Sequence, residues 1–334
     1  MTGDCTPFRL ITTNGIPDTC RGRLPSGTQS IMGHPISSAI KISSRLFDPK
    51  YADFYGPPVP GHMDDGNASL VFQEDWLARC QELIDKYQPQ MLWFDAGVGD
   101  RAYDGVKQRL AAYYYNRALQ WGQEATISTK GNAYRAGSVL DFEKAGRGPK
   151  TILPGGAWQI DDQIATNSWG YINDIKYRST ASVLTELVDT ASKGGNLLLN
   201  ISPRADGTIP DEQQQILRSV GKWLEVNGEA IYGSLPWTPF EEASPPPAAG
   251  GRAVSYRFTT RNDALYAIAL GWPGRQAILT ALGAGQAGGR KVKTVRLLGV
   301  PENLAFAQAA DALRIDLPAT PPGEIAYTLK IDLA

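Results

Sequence analysis

The chain has 334 residues, 42% of them apolar, and 33 Lys and Arg face 34 Asp and Glu for a net charge of −1. That length suits two domains, and the charge balance argues against a protein built chiefly to bind nucleic acid. No apolar run reaches the ~20 residues a membrane span needs. Two histidines, His34 and His62, and three cysteines without metal-like spacing, Cys5, Cys20 and Cys80, argue against a zinc site.

Residues 1–45 are rich in Gly, Pro, Ser and Thr and hold no period, which predicts an irregular or disordered segment. Residues 46–68, with Tyr51, Phe54, Tyr55 and a Gly-Pro-Pro-Val-Pro run, read as a loop. Helical spacing then predicts a helix over 72–87, stopped by Gln88-Pro89-Gln90. The apolar run 91–94 is a buried strand that ends at Asp95-Ala96-Gly97. A helix over 106–119 follows, then strands over 125–129 and 137–142, the second running into Asp141 and Glu143. Residues 144–174 read as one long loop carrying Trp158, Trp169 and several acids. A helix over 180–192 is closed by Lys193-Gly194-Gly195, a strand covers 196–201, and a helix over 210–227 ends at Gly228. The Pro/Ala-rich stretch 241–251 is a linker, beyond which short alternating runs predict an antiparallel sandwich. The expected fold is α/β: (β/α)8-type barrel units over 46–240, then a C-terminal antiparallel β-sandwich over 252–334.

The chemistry should sit where strands end. Asp95 closes an apolar strand, the position that carries catalysis in such barrels, although a turn or helix cap would also place an Asp there. Asp141 and Glu143 share one face of a strand. Two carboxyl groups on neighbouring strands can run a retaining glycosidase, and a surface ion pair is the plain alternative for Glu143. Eight Trp and fourteen Tyr suit sugars, whose C–H faces are apolar, but also suit a core. Trp158 and the 168–171 turn are candidate sugar contacts on the long loop, and Arg204 follows a strand. Asp206-Gly207 reads as a simple turn.

Three stretches carry a resemblance. Leu92-Trp93-Phe94-Asp95-Ala96-Gly97, the Ser168-Trp169-Gly170-Tyr171 turn, and the series SKGGNLLLNISP at 192–203 with GEAIY at 228–232 resemble the retaining α-L-fucosidases of glycoside hydrolase family 29. KVKTVRLLG at 291–299 and AYTLKI at 326–331 are similar to that family's sandwich, so the resemblance covers about 70–331. It implies removal of terminal α-L-fucose with retention, with Asp95 as nucleophile and Glu143, in Leu140-Asp141-Phe142-Glu143, as acid/base. Trp93, Trp158, Trp169 and Arg204 are the candidate substrate contacts. The implied partner is a fucosylated oligosaccharide or glycoconjugate, not nucleic acid or membrane. No metal or organic cofactor is implied, and a secreted or periplasmic setting is. The family's barrel starts well before its nucleophile strand and supplies fucose-binding histidines, whereas only 94 residues precede Asp95 in this chain. That predicts a truncated barrel with little activity; the alternative function is a silent homologue serving as a carbohydrate-binding or structural protein.

Overall fold

The computed structural model describes residues 30–33, 70–94, 103–130, 133–134, 138–144, 148–153, 157–245, 253–286 and 290–334. They divide into two compact units. The first holds the described residues up to 142 with 157–158, and the second holds 143–153 and 159–334.

In the first unit, strands β1 (Ser30–Gly33), β2 (Met91–Phe94), β3 (Thr126–Lys130) and β4 (Val139–Glu143) pair in that order, all parallel. The final residue of β4, Glu143, is counted with the second unit. Helices α1 (Leu70–Tyr87) and α2 (Asp104–Trp121) cover one face. Residues Val106, Leu110, Tyr114 and Ala118 of α2 recur every fourth position, so they form one apolar stripe. That stripe packs with Trp76 and Ile84 of α1 against Leu92, Phe94 and Ile127. Gly122, at φ 64°, stops α2 in the left-handed conformation that a side chain resists. Strand β1 lies within the stretch expected to be irregular. Its parallel pairing with β2 uses main-chain groups, which leave no side-chain pattern to read.

The second unit contains β5 (Trp158–Gln163, the first residue of which is counted with the first unit), α3 (Thr180–Ser192), β6 (Asn196–Asn200) and α4 (Asp211–Asn227). Strand β5 pairs in parallel with β6, Gln159 beside Asn196 and Gln163 beside Asn200. The 144–174 stretch is therefore not one loop. WQIDDQ hides its strand because polar residues occupy both faces, yet all six are buried. Helix α3 begins at Ser179, whose side chain accepts the Ser182 N–H as an N-cap.

The remaining strands form the sandwich. One sheet runs β11 (Val292–Leu297), β14 (Tyr327–Leu333), β9 (Ala264–Ala269), β8 (Ser255–Arg261), β7 (Leu235–Ala243). The other runs β10 (Gln276–Leu279), β13 (Leu313–Asp316), β12 (Phe306–Gln308). All pairings are antiparallel. Phe258, Ala267 and Leu329 from the first sheet meet Leu279 and Ile315 from the second in a shared core. The sheet recruits 235–243, upstream of the boundary expected at 252. Pro236 and Pro239 disguise β7, and a sheet edge is where prolines are tolerated.

Candidate active site

Parallel register places paired residues on the same face. It aligns Trp93 with Ser128, Ser128 with Val139, and Lys130 with Asp141. Leu92, Phe94 and Ile127 point to the helices, so Trp93, Ser128, Lys130 and Asp141 occupy the opposite face. The Lys130 Nζ sits 5.5 Å from the centroid of the Trp93 ring, a cation–π contact. Trp93 Nε1 and Ser128 Oγ are buried and have no hydrogen-bond partner among the described residues. Asp141 is buried too, at 5% exposure. Aromatic ring, cation, carboxyl group and two polar atoms thus share one face of β2, β3 and β4. Asp95, next after Phe94, lies outside the described residues.

Trp158 belongs elsewhere. It is a strand residue at 1% exposure, and its ring packs edge-on against Phe142, with centroids 6.0 Å apart. Phe142 faces away from Asp141, its strand neighbour. Trp158 therefore packs behind the face that holds Trp93, which corrects its expected place on the loop.

In the second unit, half-buried Glu143 is followed by Lys144 in the left-handed conformation, φ 67°. The Lys144 N–H donates to the Asp161 carbonyl at 2.8 Å, and its Nζ lies 5.7 Å from the centroid of the Trp169 ring. Trp169 stands 36% exposed on a loop whose arms meet at an Ala165–Tyr177 bridge. Asn167 ties those arms: its amide donates to the Asp174 carbonyl and accepts the Lys176 N–H. The Trp169 carbonyl accepts from Asn200 Nδ2 at 2.8 Å and Ser202 Oγ at 3.1 Å. The Arg204 guanidinium lies 5.7 Å from the centroid of the Tyr171 ring. Its turn closes through Thr208, and Asp206 accepts from both the N–H and hydroxyl of Thr208. The Thr208 backbone bond, first, and its hydroxyl hold the Asp206 carboxyl below the usual range, a turn role as the dipeptide suggested. Glu143, Lys144, Trp169, Tyr171 and Arg204 all belong to this unit.

Such a set, with an acid at a strand end and aromatic rings partly open to solvent, fits a sugar site. Residues 36–229 match the α-L-fucosidase family, and residues 251–332 match the α-L-fucosidase C-terminal domain. The chain belongs to the α-L-fucosidase family. It is 31% identical over 274 residues to the tissue α-L-fucosidase of Rattus norvegicus, covering 76% of this chain and 54% of that protein. It is 30% identical over 274 residues to the human tissue enzyme, with the same coverages. It thus spans about half the length of these relatives. Among solved structures it resembles the Thermotoga maritima α-fucosidase in complex with fucose, with TM-score 0.65 and 26% identity over 84% of this chain and 61% of that one. The likeness establishes the fold as an incomplete (β/α)8-type barrel with a β-sandwich; six parallel strands lie among the described residues. The family match begins at 36, well before the resemblance read from 70 onward.

Lys130, Lys144, Asn200 and Ser202 were not singled out from sequence. Asn200 had a signal: in NLLLN, Leu197 and Leu199 are buried while Asn196, Leu198 and Asn200 take the other face. The lysines had none, since a Lys after a strand reads as a solvated end.

Proposed function

We propose that this chain carries the nucleophile side of a retaining exo-α-L-fucosidase acting on terminal α-L-fucose of fucosylated oligosaccharides or glycoconjugates. Family membership supports the reading, and the convergence of Trp93, Lys130 and Asp141 on one face beside Asp95 in sequence carries it. Asp95 attacks the anomeric carbon while Glu143 protonates the departing glycosidic oxygen. Glu143 then deprotonates the water that releases fucose, and two inversions leave the configuration unchanged. Trp93 offers its ring and its indole N–H from the strand end. Trp169 offers a partly exposed ring, and Arg204 a cation against Tyr171. Trp158 has no part in sugar contact, because its ring is enclosed behind the sheet.

Glu143→Ala tests the assignment on a leaving-group series. Turnover of fucosides with poor leaving groups should fall about 10²–10⁴-fold, the usual worth of a general acid. Aryl fucosides with acidic phenols need little protonation and should fall far less. Equal slowing across the series would remove Glu143 as acid/base and point to Asp141 or an acid within 161–174.

A further inference from the structure

We propose that Gln213 is a positioning residue that sets the height and tilt of the Trp169 ring; this rests on the reading of Trp169 as a sugar contact. Gln213 lies in the first turn of α4 and is fully buried. Its Oε1 accepts the Ser202 N–H at 2.9 Å, and its Nε2 donates to the Ser202 carbonyl at 2.9 Å. One amide thus satisfies both main-chain groups of Ser202, as a neighbouring strand would. The same Nε2 donates to the Tyr177 hydroxyl at 3.3 Å. Tyr177 is on the returning arm of the Trp169 loop, and the Ser202 hydroxyl fastens the Trp169 carbonyl near the tip. Gln213 therefore grips the loop at its base directly and at its tip through Ser202.

The side-chain chemistry is specific. A donor and an acceptor side by side on one uncharged planar amide are needed, which Gln supplies, and Asn is one carbon short. Met keeps the volume and length but leaves the buried N–H and C=O of Ser202 without their partner. The chain there should move until water or another group answers them. Because Ser202 Oγ and Asn200 Nδ2 both meet the Trp169 carbonyl, that movement passes to the ring. Arg204 begins the next turn, so the same displacement reaches its stack on Tyr171.

The test is ¹⁹F NMR of the full chain carrying 5-fluorotryptophan, with the Trp169 signal assigned by Trp169→Phe among the eight tryptophans. In Gln213→Met the Trp169 resonance should shift or broaden while those of Trp237 and Trp272, in the sandwich, stay in place. Ser202→Ala, which deletes only the hydroxyl, should move the same resonance by less. Gln213→Glu keeps an acceptor for the Ser202 N–H and should fall between wild type and Met. On an aryl α-L-fucoside, KM should rise about tenfold in Gln213→Met with kcat within about threefold, the pattern of lost uniform binding. A moved resonance with unchanged KM supports the positioning role and overturns only Trp169 as a sugar contact. An unmoved Trp169 resonance in folded Gln213→Met overturns the proposal. If that variant does not fold, an unmoved resonance in Ser202→Ala overturns it.

Discussion

Asp162 and Glu186 share one guanidinium. Arg178 Nη1 donates to Glu186 Oε2 at 2.6 Å and to Asp162 Oδ2 at 3.1 Å, and all three side chains are nearly enclosed. One cation cannot neutralise two carboxylates. Burial, with Asp162 adding to it and Arg178 opposing it, pushes the Glu186 carboxyl up to about 7 from 4.5. Below pH 4.5 the folded and unfolded chains both hold this proton, and its contribution to stability is complete. Between 4.5 and 7 only the folded chain holds it, so stability drains away as pH rises and the contribution is gone above 7. Calorimetry should show a Tm that falls more steeply from pH 4.5 to 7 in wild type than in Glu186→Gln, which cannot titrate. Identical slopes would refute the titration of buried Glu186 as the cause. None of this was legible in the sequence: WQIDDQ shows two acids, but which of them meets Arg178 depends on strand parity and on where α3 lies. Residues could be singled out in the sequence where an acid or aromatic residue touched a strand end, as at Trp93, Asp95 and Glu143. They could not where the deciding residue was an ordinary polar one, as at Ser202 and Gln213.

At the level of elements, helices were read within a few residues because their apolar spacing is repeated over several turns. Short strands were harder. Buried glutamines and aspartates concealed β5, prolines concealed β7, and three residues on a sheet edge are too few for β12 to show a pattern. The end of α3 was plain, and its glycine has a structural reason. Gly194 stands at φ 79°, its N–H donates to the Ala191 carbonyl, and a Cβ there would lie 3.3 Å from Pro236 Cγ of β7. Gly194→Ala should cost about 1 kcal/mol from backbone conformation alone, and crowding against Pro236 adds to that. A urea titration would show a lowered midpoint with an unchanged slope. An unchanged midpoint would mean that Gly194 is dispensable as a cap.

Across the second unit, the sandwich is joined to the barrel helices by residues of the same late motifs that carried the family resemblance. Lys193 and Arg257 both reach Asp189 of α3, at 2.6 and 2.7 Å. Burial would raise the Asp189 carboxyl, but the Lys193 and Arg257 hydrogen bonds outweigh it and hold it below the usual range. Glu229 meets Lys330 at 2.9 Å, the Ala230 carbonyl accepts the Thr259 hydroxyl, and Trp223 Nε1 donates to the Ala326 carbonyl. Lys193, Glu229 and Ala230 of these motifs therefore serve as joints, while Asn200 and Ser202 reach the Trp169 loop. The motif that points to chemistry is LWFDAG, and the account stands or falls on Asp95. The most direct measurement is to trap the covalent intermediate with 2-deoxy-2-fluoro-L-fucosyl fluoride, whose fluorine slows release of the sugar, and to map the adduct by peptide mass spectrometry. The account predicts one added 2-fluorofucosyl group on the peptide spanning 91–101, located on Asp95 and absent from Asp95→Ala. An adduct on another carboxylate, or no adduct under conditions where the chain turns over an aryl α-L-fucoside, would contradict it.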